Sequence, residues 1–215
     1  MTARVVLATR NEGKVGELRR ILTEAGLDVE LVGAAAFAAL PEIAETGATF
    51  AANALLKARV VAAYTGLPAV ADDSGLCVDA LNGMPGILSA RWAGGRDDEA
   101  NLDLVLAQLS DTADERRGAH FFCAAAVAMP SGHHGQDGQC RVVEGTIDGM
   151  LLRARRGTGG FGYDPIFLPY GSARTTAELD AAEKDVISHR GKAFRALAPV
   201  LADLLAEQSA RPVAD

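Results

Sequence analysis

Thr9, Arg10, Asn11, Glu12, Gly13 and Lys14 stand where an apolar run gives way to helical spacing. A strand-to-helix turn presents unpaired backbone N–H groups and the positive end of a helix dipole, a ready place for a phosphate. Lys14 adds a mobile point charge, and Asn11 can both donate and accept hydrogen bonds. The same six residues also read as a plain N-cap with a solvated lysine, and they do not form the G-x-x-x-x-G-K-[ST] loop.

Asp72, Asp73, Ser74 and Gly75 follow a second apolar run. Adjacent strand residues face opposite ways, so only one of the two carboxylates points directly into a site. One or two carboxylates, together with substrate phosphate oxygens and water, commonly hold magnesium. Glu45, followed by Thr46 and Gly47, is a candidate second carboxylate from a separate loop. The alternative is an aspartate-rich turn that caps the next segment.

Residues 157–165 carry four glycines with Phe161 and Tyr163. Glycine lets backbone approach a ligand closely, and the two rings offer flat faces for stacking a base. A structural loop with its rings in the core is the other possibility. Further on, Lys184, His189 and Arg190 fall at the expected start of the last helix. Cations gain nothing at the positive end of a helix dipole, so their clustering suggests an anion, unless each is simply solvated. Lysine and arginine can neutralise a triphosphate, and His189 can read a polar base edge.

The elements that must position these residues follow from periodicity. Residues 4–9 are apolar and valine-rich, a buried strand. Val15, Leu18, Ile21, Leu22 and Ala25 form a helical stripe that stops at Gly26. Residues 29–32 make a second strand, and Thr49 caps a helix over 50–64 that ends before Gly66 and Pro68. Strand pieces at 69–71 and 76–78 flank the aspartate turn, and Asp97 or Asp98 caps a helix running through Leu109. Residues 119–129 and 140–147 read as strands joined by the polar loop 131–138, with its His133 and His134 read as a surface loop. Ser188 caps a helix through Leu205, and the tail from 208 onward is expected to be loose. Strand–helix alternation followed by a hairpin predicts an α/β protein with a mixed sheet, built as a single domain over 1–207.

Composition excludes several classes. The net charge of −7 argues against a protein that coats nucleic acid, which needs a broad basic face. The three cysteines are odd in number and widely spaced, so neither a disulfide framework nor a zinc knuckle is indicated. The N-terminus lacks the apolar length of a signal peptide, and no apolar run approaches the ~20 residues that span a bilayer. A cytoplasmic protein is expected.

Taken together, the motifs identify a resemblance. The chain resembles the inosine triphosphate pyrophosphatase family, which acts on deaminated purine nucleotides. The matching stretches are Thr9-x-Asn11-x-x-Lys14, Glu45-Thr-Gly47, Asn53-Ala-x-x-Lys57-Ala58, Ala71-Asp-Asp-Ser-Gly75, Gly83-x-Pro-Gly86 with Ser89-Ala-Arg91, Gly159-Gly-Phe-Gly-Tyr-Asp-Pro165, and Glu183-Lys184 with Ser188-His-Arg190. They run in the family's order over nearly the whole chain. The resemblance implies an elongated mixed β-sheet flanked by helices, two lobes with the active site in the cleft, and a homodimer. It implies Mg2+-dependent hydrolysis of ITP, dITP and XTP to the monophosphate and pyrophosphate. Asp73 is then the proton acceptor and a magnesium ligand, assisted by Glu45. Thr9, Arg10, Asn11, Glu12, Gly13, Lys14, Lys57, Ser74 and Lys184 hold phosphates. Phe161, Gly162, Tyr163, Asp164, His189 and Arg190 form the base pocket. Arg10 and Ile147 depart from the residues expected at their positions. A Maf-like nucleotide hydrolase and a non-catalytic nucleotide sensor are the competing readings, and the carboxylates Asp72, Asp73 and Glu45 favour catalysis.

Overall fold

Val5, Val6 and Leu7 are wholly buried in the computed structural model, which describes residues 2–130 and 138–210. They belong to β1 (Ala3–Leu7), which pairs in parallel with β2 (Val29–Gly33), with Ala3 opposite Val29 and Leu7 opposite Gly33. Between them runs α1 (Glu12–Glu24), whose buried stripe is Val15, Leu18, Ile21 and Leu22. The helix stops as its sequence predicts. Leu27 N–H bonds back to Leu22 O and Gly26 N–H to Thr23 O, with Gly26 left-handed at φ 71°.

Thr49 accepts from Ala52 N–H and starts α2 (Phe50–Thr65), which ends at Gly66. The chain returns as β3 (Ala69–Val78), parallel to β1, with Val6 opposite Ala69. Here the structure corrects the sequence. Asp72, Asp73, Ser74 and Gly75 do not form a turn between two strand pieces but lie inside one ten-residue strand.

A short β4 (Met84–Pro85) folds back antiparallel on β3. Then α3 (Asp98–Gln108) follows its cap Asp97, whose carboxylate accepts from Glu99 and Ala100 N–H. Two long strands, β5 (Gly118–Ala128) and β6 (Cys140–Leu151), are followed by β7 (Phe167–Pro169), antiparallel to β6. The loop 131–138 with His133 and His134 lies outside the described residues, apart from Gly138. The sheet order is β2-β1-β3-β5-β6-β7, with β4 attached to β3. This is the mixed α/β arrangement that the strand–helix alternation requires.

The C-terminal region differs from expectation in one respect. Residues 181–187 form a separate helix, α4 (Ala181–Ile187), opened by a reciprocal cap between Asp180 and Glu183. Lys184 therefore sits in α4, while His189 begins α5 (His189–Ala210), directly after Ser188. Helix α5 continues to Ala210, and residues 211–215 lie outside the description.

The described residues divide into two compact units, one within Met1–Asp73, Ala124–Glu144 and Gly191–Asp215, the other within Ser74–Cys123 and Gly145–Arg190. The first buries Leu18, Ala58, Val61, Val70, Phe194, Leu197 and Leu201. The second has its own apolar cluster, including Leu76, Leu102, Leu109, Phe121, Ile147, Tyr163 and Phe167. Among the described residues no helix is long and apolar enough to cross a membrane.

Candidate active site

In the first unit, alternation along β3 sends its two aspartates to different helices. Asp72 takes Lys14 of α1, whose Nζ lies 2.8 Å from Oδ2 and 3.1 Å from Oδ1. Asp73 takes two residues of α2. Its Oδ2 accepts from Asn53 Nδ2 at 3.0 Å, and its Oδ1 from Lys57 Nζ at 3.2 Å. Both carboxylates are buried, and a buried charge is tolerated only when paired or hydrogen-bonded. Lys57 also reaches Glu45 Oε1 at 2.8 Å, so one ammonium bridges two acids from separate segments.

Electrostatics here are asymmetric for a physical reason. Burial pushes the Asp73 carboxyl above its ordinary range, against the pull of Lys57 and Asn53, with Glu45 adding repulsion. Burial also opposes the charge on Lys57, yet Asp73 and Glu45 together outweigh it and hold the ammonium above its usual range. Lysine has three counter-charges, Asp72 the weakest of them, where the aspartate has one. The result is a carboxylate readier to accept a proton than a solvated one, a property suited to a general base.

The donor set can be tested for magnesium. Two hard oxygen donors, Glu45 Oε1 and Asp73 Oδ1, converge on a single cationic position, the one Lys57 Nζ holds. Among the described residues no group of three or more His, Cys, Asp or Glu could hold a metal by itself. Two carboxylates completed by phosphate oxygens and water suit Mg2+, and the residues present fit it.

At the start of α1, Asn11 caps the helix. Its side-chain oxygen accepts from Gly13 N–H at 2.9 Å and Lys14 N–H at 3.3 Å, and Thr9 Oγ1 accepts from Asn11 N–H. Arg10 donates to Leu40 O at 2.9 Å. Lys14 is not a freely solvated lysine, because Asp72 holds it.

The second unit contains the other predicted cluster. Asp164 is buried and is its centre. Its Oδ2 accepts from Phe161 N–H at 2.8 Å and from Lys184 Nζ, and its Oδ1 accepts from Thr176 Oγ1 at 2.8 Å. Gly160 is left-handed at φ 72°, and a Cβ there would lie 2.1 Å from that carboxylate, so only glycine permits the loop to close over Asp164. Phe161 is 54% exposed. Lys184 Nζ lies 4.9 Å and Arg190 Cζ 5.7 Å from its ring centroid, a cation–π arrangement. Gly162 N–H donates to Asp98.

Two readings change. Tyr163 does not present a free face. It is buried, its hydroxyl donates to Ser89 O at 2.8 Å, and burial raises its pKa. Nor are His189 and Arg190 solvated charges. Both are buried, and the His189 ring stacks on Phe121 at 4.9 Å between centroids. Lys184 pairs with Asp164 within the protein. Ser74 is half-buried in β3. Sequence reasoning gave Asn53 no role, although it lies in a matched motif. Its signal was its place four residues before Lys57, on the same helix face.

One unit thus holds a buried acid bridged by a lysine, and the other an exposed aromatic ring flanked by cations. Residues 5–200 match the Ham1 family model. A dITP/XTP pyrophosphatase of Streptomyces coelicolor is 65% identical over 203 residues, covering 94% of this chain and 98% of that protein. A HAM1 protein from Coxiella burnetii superimposes with a TM-score of 0.82 at 41% identity, covering 94% of this chain and all of the other. A nucleoside-triphosphatase described as a dITP/XTP pyrophosphatase, from Mycobacterium abscessus, gives 0.74 at 52% identity, covering 92% and 99%. The chain belongs to the Ham1 family, as its motifs predict.

Proposed function

We propose that this chain is a nucleoside triphosphate pyrophosphatase that hydrolyses dITP, ITP and XTP to the monophosphate and pyrophosphate. The observation that carries the reading is the buried Asp73 with Asn53, Lys57 and Glu45 around it. The Streptomyces coelicolor relative, described as a dITP/XTP pyrophosphatase, keeps 65% identity over nearly its full length, which supports the same activity here.

Asp73 orients a water for attack at the α-phosphorus and takes its proton. Burial raises the affinity of this carboxyl for that proton. Lys14, Lys57 and Lys184 bind phosphate oxygens and stabilise the departing pyrophosphate, and the turn from Thr9 to Lys14, with Ser74, positions the chain of phosphates. For Lys14 and Lys184 this means exchanging Asp72 and Asp164 for substrate oxygens. Glu45 and Asp73 would hold Mg2+, which supplies neutralisation of phosphate charge. Phe161 stacks on the base, while His189 and Arg190 read its 6-oxo edge, with Gly162, Tyr163 and Asp164 shaping the loop around it. A site built to pair with a 6-oxo group rejects a 6-amino purine, because the mismatch leaves buried polar groups unpaired. The enzyme works as a homodimer on the free nucleotide pool of the cytoplasm. Pyrophosphate release should be measured across dITP, ITP, XTP, ATP, GTP and CTP, with and without Mg2+. The proposal predicts strong preference for the first three, and a flat profile across all six would sink it.

A further inference from the structure

Asn53 and Lys57 lie one turn apart on α2 and reach the same carboxylate. Charge accounts for Lys57 but not for Asn53, which is wholly buried. A buried carboxamide is costly unless both ends are satisfied, and here they are satisfied by two different segments. Nδ2 donates to Asp73 Oδ2 at 3.0 Å, and Oδ1 accepts from Gly47 N–H at 2.7 Å. The orientation is forced, since only the amino end can donate to a carboxylate and only the oxygen can accept from an N–H. Gly47 stands two residues beyond Glu45. The loop lies tightly on the helix, because a Cβ at Gly47 would meet Asn53 Oδ1 at 2.7 Å and Ala52 Cβ at 2.8 Å. Helix α2 does not need this side chain to begin, as Thr49 already caps it.

We propose that Asn53 is a positioning residue for hydrolysis: its carboxamide ties the Glu45–Gly47 loop to Asp73, so that both carboxylates are aimed at one divalent cation. This rests on the reading of Asp73 and Glu45 given above. Such outer-shell partners orient ligating carboxylates and tune the site without touching the reacting atoms.

Two variants break the tether from opposite ends. Asn53→Asp keeps the size and the acceptor for Gly47 but loses the donor to Asp73. Gly47→Ala pushes the loop off Asn53 and changes no polar or charged group. Each is expected to lower kcat for dITP about 10- to 100-fold, while KM moves less than about threefold. Manganese alone, titrated by electron paramagnetic resonance without nucleotide, should bind Gly47→Ala about tenfold more weakly. Combining the variants should cost little beyond the worse single one, because both sever the same link. Wild-type kcat and manganese affinity in folded Gly47→Ala, a rise in KM with kcat unchanged, or multiplying losses in the double variant would each overturn the tether. Asp73→Asn separates the two ideas. If it stays active, the role of Asp73 and the tether both fall. If it is dead while both tether variants behave as wild type, only the tether falls.

Discussion

Replacing Asp73 by asparagine should abolish hydrolysis and leave the protein folded. Both oxygens of Asp73 are acceptors, one for Asn53 Nδ2 at 3.0 Å and one for Lys57 Nζ at 3.2 Å. Asparagine offers a single acceptor. Whichever way its amide turns, an amino group meets either the Asn53 amino group or the Lys57 ammonium, donor against donor. Loss of a general base alone typically costs about 10²–10⁴-fold, roughly 2.7–5.5 kcal/mol of barrier, and a weakened metal ligand adds to it. Stability should fall modestly, because the opposed donors cost about 1–3 kcal/mol while two further effects oppose each other. The neutral amide relieves the burial of a charge that pushes the Asp73 carboxyl above its ordinary range. It also loses an ion pair, but Lys57 keeps Glu45 at 2.8 Å. Each kcal/mol lost lowers the melting temperature by about 2–4 °C at this chain length. The assay is pyrophosphate release from dITP by the purified variant, alongside its melting curve. More than about a tenth of wild-type kcat/KM, against the general-base cost cited, would refute the role of Asp73.

Phe161→Ala should weaken every purine triphosphate, since stacking is worth ~1–3 kcal/mol whatever the ring substituents. Arg190→Ala should instead erode the preference for ITP and XTP over ATP, and a uniform loss across substrates would reduce Arg190 to a phosphate clamp. Arg117 is buried and donates to three backbone carbonyls, Leu109 O at 2.7 Å, Leu151 O at 2.8 Å and Leu152 O at 3.0 Å. Arg117→Met should therefore destabilise by about 3–5 kcal/mol in chemical denaturation, and a loss under about 1 kcal/mol would show those carbonyls find other donors. Glu183 is held below the usual 4.5 by Arg174, and Glu178 by Thr175 N–H and Arg156. A carboxyl titrating low in the folded state contributes stability above pH 4.5 that is lost as pH falls through its folded value. Amides of residues 174–184 should thus lose protection, after correction for intrinsic exchange, as the pH is taken below about 4.5. Unchanged protection would contradict that coupling.

Much of this was legible in the sequence where the signal is local. The strand-to-helix opening follows from a valine-rich run, the Asn11 cap and the stop at Gly26, all within one stretch of chain. The interior of β3 was not legible, because Asp, Asp, Ser and Gly favour turns. Their burial depends on partners far along the chain, with Lys14 58 residues from Asp72 and Asn53 20 residues from Asp73. Helix α4 is not legible from periodicity, since seven residues show too little of it, although Asp180 and Glu183 carry its capping signature. For the glycine-rich loop, spacing identified two aromatics but could not distinguish the one facing out, Phe161, from the buried Tyr163. The pairing of Lys184 with Asp164, 20 residues earlier in the adjoining motif, is visible only in the fold.

The central claim is that water attacks the α-phosphorus of a deaminated purine triphosphate. Turnover of dITP in 18O-labelled water, followed by phosphorus NMR or mass spectrometry of the products, tests it most directly. One labelled oxygen should appear in the monophosphate and none in the pyrophosphate. Label in the pyrophosphate would place the attack at the β-phosphorus, and release of orthophosphate with a nucleoside diphosphate would contradict the account altogether.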